Sequence, residues 1–269
     1  MKNQVEKFVK EYVTSYKSHV HVHTNWGEPI VAFADAQDPF FPKLKEIVDP
    51  EHLLPCDLLA DAKTVITYFV PFMKETVLSN SKEKSASRQW AQSYIETNKL
   101  ILDLNIALSN MLKKHGFKTA TTLPTHNFDE TKLVSSWSQK HVAYIAGLGK
   151  FGLHHMIITE KGCCGRLGSI VTNLKIEPTE RSAGEFCLYK LDGSCGVCIK
   201  KCNFKALKAV GLDKHACYTE CLKNAETYAA LGLADVCGKC VAEVPCSFIN
   251  PSKLEERFKA VRSSSHRPK

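Results

Sequence analysis

No apolar run in the 269 residues approaches the roughly 20 that a membrane-spanning helix needs. The longest candidate, Val65 to Met73, is short and contains Pro71. The N-terminus lacks the apolar core of a secretory leader, because Met1, Lys2, Asn3 and Gln4 run into a charged segment. These absences lead to the expectation of a soluble, cytoplasmic protein with no membrane partner. Internal repeats and low-complexity tracts are also missing. Composition is otherwise ordinary, 44% hydrophobic and 24% charged. The length fits one large domain or two modest ones.

Cysteine is what the chain has in excess. Nine of its twelve cysteines fall between Cys187 and Cys246. Seven residues separate Cys187 from Cys195, two separate Cys195 from Cys198, and three separate Cys198 from Cys202. Cys217 and Cys221 follow with three between them, then Cys237, Cys240 and Cys246 with two and five. Intracellular chains rarely keep disulfides, so such clusters point to metal or catalysis. Two Cys-x2-Cys pairs can build a four-thiolate zinc site. The extra x3 step and the surplus of ligands instead resemble the bacterial ferredoxin motif, in which short spacings wrap one iron–sulfur cube and the last cysteine reaches a second. Two cubes need eight thiolates, and the segment supplies nine. An electron-transferring protein is expected.

The formal charge is +8. Residues 181–269 hold 15 Lys/Arg and 9 Asp/Glu, so they carry +6 of it. These lysines either offset anionic clusters or form a surface for an acidic partner such as nucleic acid or a ferredoxin.

Periodicity predicts an α+β layer domain over 1–180. Residues 1–17 read as an amphipathic helix with Val5, Phe8, Val9 and Tyr12 on one face. Pro29 to Ala34 reads as a strand, 42–48 as a short helix, and Thr64 to Phe69 as a buried strand. Trp90, Tyr94, Thr97, Ile101, Leu104, Leu108 and Met111 step by three and four along a helix near 86–115, stopped by Gly116. A strand at 117–122, a helix near 132–145, and strands near 154–159 and 167–172 complete the layer. A shift to cysteine- and lysine-rich sequence near Arg181 marks a domain boundary. Residues 181–250 read as a ferredoxin-like two-cluster domain, and 251–269 as a C-terminal helix and basic tail.

Gly147-Leu148-Gly149-Lys150-Phe151-Gly152 matches G-x-G-x-x-G. A dinucleotide site needs a strand before it and a helix after it. Here the order is reversed, so a Rossmann site is not expected. The motif reads as a glycine turn joining helix to strand, or as backbone kept bare for close approach of a flat ligand.

The stretch from Ala146 to Gly152, His155 to Thr159, and Gly165-Arg166-Leu167-Gly168-Ser169 to Thr172, followed by the two-cluster segment, resembles epoxyqueuosine reductase. The resemblance runs over roughly residues 25–250. It implies a nitroreductase-like, cobalamin-binding α+β domain, two 4Fe–4S clusters, and reduction of epoxyqueuosine in tRNA to queuosine. It also implies kinship with cobalamin-dependent reductive dehalogenases. The chain departs from the family in several places. Asp192 stands at the first cysteine position of the cluster motif, so Cys187 must substitute. Asn203 stands where proline usually follows. The helical-repeat region that longer members use to hold tRNA is absent before Lys269.

Carried over by resemblance, the first cluster takes Cys187, Cys195, Cys198 and Cys246. The second takes Cys202, Cys217, Cys237 and Cys240, with Cys221 as the rival to Cys217. Cobalamin would lie against Gly147, Leu148, Gly149, Gly152, Cys163, Cys164, Arg166, Gly168 and Ser169. The family's proton donor is an acid shortly before the glycine turn. Asp129 is the nearest, about four residues early, with Glu130 and His141 as rivals. Cys56 reads as a small buried hydrophobe, and His19, His21 and His23 as a solvated edge. His126, His154 and His155 are candidates for the cleft wall.

A reductase is expected, with reduced ferredoxin or flavodoxin as electron donor. Two oxidised cubes, at about −2 each, would offset about half of the positive charge. A small electrophilic substrate is therefore expected ahead of tRNA. An electron carrier without a substrate, and a flavin enzyme fused to a ferredoxin, are the rivals.

Overall fold

The computed structural model describes residues 1–253. The expected C-terminal helix and basic tail lie, from 254 on, outside the described residues. In chain order the elements are α1 (Lys2–His19), β1 (Ile30–Asp35), α2 (Phe40–Ile47), α3 (Pro55–Leu58), β2 (Thr64–Pro71), α4 (Lys74–Ser79), α5 (Arg88–Lys114), β3 (Thr119–Ala120), β4 (Phe128–Asp129) and β5 (Val134–Ser135). Then come α6 (Gln139–Ile145), β6 (Gly149–Phe151), β7 (Ile157–Thr159), β8 (Gly165–Thr172), α7 (Leu188–Asp192), α8 (Val197–Lys201) and α9 (Lys214–Thr227).

Four strands form an antiparallel sheet in the order β1-β2-β8-β3. All eight residues of β2 are buried. Its alternation splits them between two cores. Ile66, Tyr68 and Val70 join Val5, Val9 and Val13 of α1 and Leu100, Leu104 and Leu108 of α5. Val65 and Phe69 join Phe41 and Leu44 of α2 and Val142, Ala143 and Ile145 of α6. Helices thus cover both faces, which is why β2 reads as a nearly unbroken apolar run. Each fully buried side chain of this size contributes roughly 1.5–3 kcal/mol.

The long helix α5 starts where the Ser87 side chain accepts the Trp90 N–H at 3.1 Å. It ends before Gly116, whose φ of +82° suits glycine. The predicted stripe is buried except for Met111, which is partly exposed.

Three expected elements are shorter. The helix near 132–145 begins only at Gln139, because Val134 and Ser135 pair with Phe128 and Asp129 as a hairpin. Trp137 then holds the chain in, its Nε1–H donating to Ser169 Oγ at 2.9 Å. The strand expected from 154 begins at Ile157, since 152–156 is the tip of a β6–β7 hairpin with His155 at φ +60°. The strand at 117–122 retains only Thr119 and Ala120.

The expected boundary near Arg181 falls in a stretch without helix or strand. It is pinned to the layer by Arg181 Nη1 donating to Asp38 Oδ2 at 2.6 Å and to the Ile145 carbonyl at 3.0 Å. The cysteine-rich segment then packs back on the layer. Phe186, Cys187, Cys198, Leu207 and Val241 share a buried cluster with Phe72, Trp90, Leu153, Cys163 and Cys164. Backbone bonds extend the contact: Cys163 N–H donates to Cys246 O at 2.9 Å and Cys164 N–H to Ser247 O at 3.3 Å. Gly162, at φ +80°, leaves no room for a Cβ against the Ser247 carbonyl.

Candidate functional site

Two thiol sets form in the cysteine-rich segment. Cys187 caps α7, Cys195 lies in the turn before α8, Cys198 lies within α8, and Cys246 arrives on a turn whose carbonyls accept the N–H groups of Cys163 and Cys164. These four line one small enclosed space, with His154 in its wall. Burial pushes the Cys198 thiol up to about 12, followed by the charges of Cys246, Cys187 and Cys195. Cys246 is instead pulled down to about 5, first by the hydrogen bond from Cys163, against burial and with help from His154.

Cys202 caps α8 at its C-terminal end, Cys217 and Cys221 lie one turn apart on α9, Cys237 follows in a loop, and Cys240 lies in the turn after it. All five face one larger cleft. Cys237 is pushed up to about 11, mainly by burial, with Cys217 and Cys202 adding to the rise. Burial also drives Cys240 well above its ordinary value, with Cys237, Cys217 and Cys202 the nearest charges behind it. Cys217 is drawn down to about 7 by the hydrogen bond from Cys221, against burial, with Lys140 assisting.

The donor sets suit iron–sulfur clusters, since both are all-thiol and thiolates are what such clusters select. Trp90 adds a second sign of a missing acceptor. Its Nε1 is buried with no hydrogen-bond partner. Its ring presses on Gly238, between Cys237 and Cys240, where a Cβ would collide with it. A buried orphan donor is costly, and an anionic cluster bound beside it would supply an acceptor.

The cleft has a volume of about 500 Å³ and is walled by Phe72, Trp90, Tyr94, Phe128 and Met156. The Arg166 guanidinium stacks 4.3 Å over the Tyr94 ring. Tyr94 donates its hydroxyl to Asp235 Oδ1 at 2.7 Å, and His126 Nε2 is 3.6 Å from the same oxygen. Sequence reasoning did not single out Asp235, and it took Tyr94 only as part of a core stripe. No spacing or motif marks either, because they meet across 141 residues of chain. A neighbouring cavity of about 790 Å³ carries Lys140, Lys190, Lys214, His141 and His155 and, among the described residues, no carboxylate. Burial first, then Lys140, lowers His141 to about 4, and the same causes lower His155.

The expected cofactor and catalytic residues divide. Cys163 and Arg166 line the cleft, as do His154 and His155. Gly152 and His141 line the neighbouring cavity. Gly147, Leu148 and Gly149 reach neither, and added Cβ atoms at the two glycines would meet the chain's own backbone, at Glu180 and Ile158. Packing therefore accounts for them. Gly168 leaves room for the Tyr68 ring, Ser169 bonds Trp137, and Cys164 Sγ donates to the Val241 carbonyl at 3.1 Å. Asp129 is exposed outside the cleft, its Oδ1 accepting the N–H groups of Thr131 and Lys132 at 2.8 and 2.7 Å in a turn. Glu130 is exposed beside it. Cys56 is exposed rather than buried, because α3 turns it outward. His19 closes α1, while His21 and His23 are exposed as expected.

An antiparallel sheet sheathed by helices, with a thiol-rich segment folded back over one end, defines a recognisable architecture. The chain superposes on epoxyqueuosine reductase from Streptococcus thermophilus with a TM-score of 0.59 and 17% identity, over 94% of this chain and 69% of the other. Epoxyqueuosine reductase from Bacillus subtilis, with its catalytic aspartate loop swung out of the active site, gives 0.55 and 19%, over 90% and 66%. An epoxyqueuosine reductase with an epoxyqueuosine-modified tRNA-Tyr stem loop gives 0.54 and 20%, over 90% and 66%. The chain thus has the fold of epoxyqueuosine reductases and spans about two thirds of their length. No protein-family model and no curated protein sequence matches it.

Proposed function

We propose that the protein is an iron–sulfur reductase of the epoxyqueuosine reductase type. The observation that carries this reading is the pair of adjoining all-thiol sets beside one apolar cleft, in a fold that epoxyqueuosine reductases share. In this reading Cys187, Cys195, Cys198 and Cys246 hold one 4Fe–4S cluster. Cys202, Cys217, Cys237 and Cys240 hold the other. Reduced ferredoxin or flavodoxin supplies the electrons.

The cleft is the place for cobalamin, which when bound supplies a strongly reducing metal centre for attack on an electrophilic carbon. Its walls fit a large, partly flat ligand, through Trp90, Tyr94, Phe128 and Met156. The chain's own residues would orient that ligand, exclude water with the aromatic wall, and hold Arg166 and the Tyr94 hydroxyl toward the substrate. Asp129 lies outside the cleft, so Tyr94, which lines it and is hydrogen-bonded to Asp235, is the better placed source of a proton.

Epoxyqueuosine in a tRNA stem loop is the first substrate to test, since one protein of this fold is seen with it. A small electrophile is the second reading, favoured by the enclosure of the cleft between the layer and the thiol segment. The experiment is anaerobic reconstitution with iron and sulfide, addition of cobalamin, and assay with dithionite on a modified stem loop. Queuosine formed and detected by nucleoside mass supports the first reading. Full iron loading with no conversion shifts the assignment to the second, and a preparation that takes up only zinc ends the iron–sulfur proposal.

A further inference from the structure

The β6–β7 hairpin seats a histidine on a cysteine of the other segment. His154 is buried, and both ring nitrogens are engaged. Met156 N–H donates to Nδ1 at 3.1 Å. A backbone N–H can only donate, so Nδ1 presents its lone pair and the neutral ring carries its proton on Nε2. Nε2 lies 3.3 Å from Cys246 Sγ. Cys163 Sγ, also buried, lies 3.9 Å from the same sulfur. His154 lines both the small thiol space and the large cleft, and Cys163 lines the cleft. The pair therefore stands in the wall between them.

Gly152 explains the ring's position. A Cβ there would fall 2.6 Å from His154 Cε1 and 2.8 Å from Nε2. The third glycine of the sequence motif thus clears space for an imidazole of its own hairpin. Cys163 is fixed independently, by its N–H on the Cys246 carbonyl.

We propose that His154 and Cys163 are positioning residues that set the reduction potential of the cluster held through Cys246, by hydrogen bonding to its sulfur. This rests on the iron–sulfur reading above. Hydrogen bonds to cluster sulfur are one of the protein's levers on potential. Taking up one electron makes the cluster more negative, and a fixed donor stabilises the more negative state. The electron comes from the external one-electron donor, and no bond to either side chain forms or breaks.

Both residues belong to the sheet layer, so the part of the chain that walls the cleft would tune the centre that delivers electrons to it. The competing role is ligation, since His154, Cys163 and Cys246 offer donor atoms within 4.8 Å of one another.

The test is a mediated potentiometric titration with dithionite, read by electron spin resonance, on anaerobically reconstituted protein. His154→Phe is expected to shift one of two midpoints to more negative potential and leave the other in place, with iron held at about eight per chain. His154→Gln keeps an N–H and should fall closer to wild type. Cys163→Ala should shift the same midpoint in the same direction by less. Gly152→Ala, which keeps every donor but displaces the ring, should reproduce His154→Phe and stands in for it if that variant does not fold. Unmoved midpoints in loaded His154→Phe or Gly152→Ala protein would overturn the proposal. So would loss of about four irons in His154→Phe with retention in Cys246→Ala, which would make the imidazole a ligand. Wild-type protein that takes up no iron would instead bring down the iron–sulfur reading itself, and this proposal with it.

Discussion

Cys217 and Cys221 lie one turn apart on the same helix, but their surroundings differ. Cys217 receives a hydrogen bond and has Lys140 nearby, both of which favour the thiolate that a cluster needs. Cys221 gives that hydrogen bond, and this first, then burial, raises it. Cys217→Ala is expected to lose about half of the iron and one spin signal, while Cys221→Ala keeps both. The reverse pattern would exchange their roles. A second prediction concerns acid. Burial lowers His141 to about 4 and His52 in the same direction. The unfolded chain binds protons near 6.5 that the folded chain refuses, so these rings stabilise the fold fully above pH 6.5. That contribution is lost as pH falls toward 4. Thermal midpoints measured from pH 7 to 4.5 should fall, and less steeply for His141→Gln. Equal slopes would remove His141 from the account. At this scale the thiols were legible because ligand spacing is local in sequence. Asp235 and Tyr94 were not, since only the folded chain brings a mid-helix tyrosine and a distant aspartate together. Asp129 shows the converse, an acid of the right type whose carboxylate is committed to a turn.

Among elements, long periodic ones were read well. The stripe along α5 is the buried face of a helix packed on the sheet, and three- and four-residue steps leave little alternative. Short pairings were not legible. The β4–β5 hairpin has two residues per strand and β6 has three, too few for alternation to show. Their hydrogen bonds displaced the start of α6 and of β7. The α5 cap gives a direct check: Ser87→Ala should cost about 1 kcal/mol in chemical denaturation. Leu104, fully buried between the helices and the sheet, should cost roughly 2–5 kcal/mol on truncation to alanine. A Ser87→Ala effect equal to that of Leu104→Ala would mean that the cap does more than end a helix.

The whole molecule carries +8. Two oxidised clusters at about −2 each would lower this by about four. Loaded protein should therefore elute earlier than iron-free protein from a cation exchanger at pH 7. Identical elution with about eight irons bound would show that the thiols bring compensating protons. A modified stem loop, if it is the substrate, should bind with an affinity that falls steeply with salt, because phosphate contacts release counterions. Salt-independent binding would point away from nucleic acid. The start of the cysteine-rich segment was visible as a change in composition near Arg181. The shared buried cluster that joins the segments was not, because its members are spread from Phe72 to Cys246.

The stretch bonded to Cys163 and Cys164 has a bearing on how the protein is made. On the ribosome the chain emerges in order, and Cys202, Cys217, Cys237 and Cys240 are all exposed before Cys246. If iron and sulfide are delivered during synthesis, the second thiol set can be filled while the first still lacks a member. Cys187, Cys195 and Cys198 then wait as an open trio until the turn that carries Cys246 arrives and bonds to the layer. Protein cut between Cys240 and Cys246 and loaded anaerobically would hold about four irons and the longer chain about eight; no iron in the shorter protein would rule this order out.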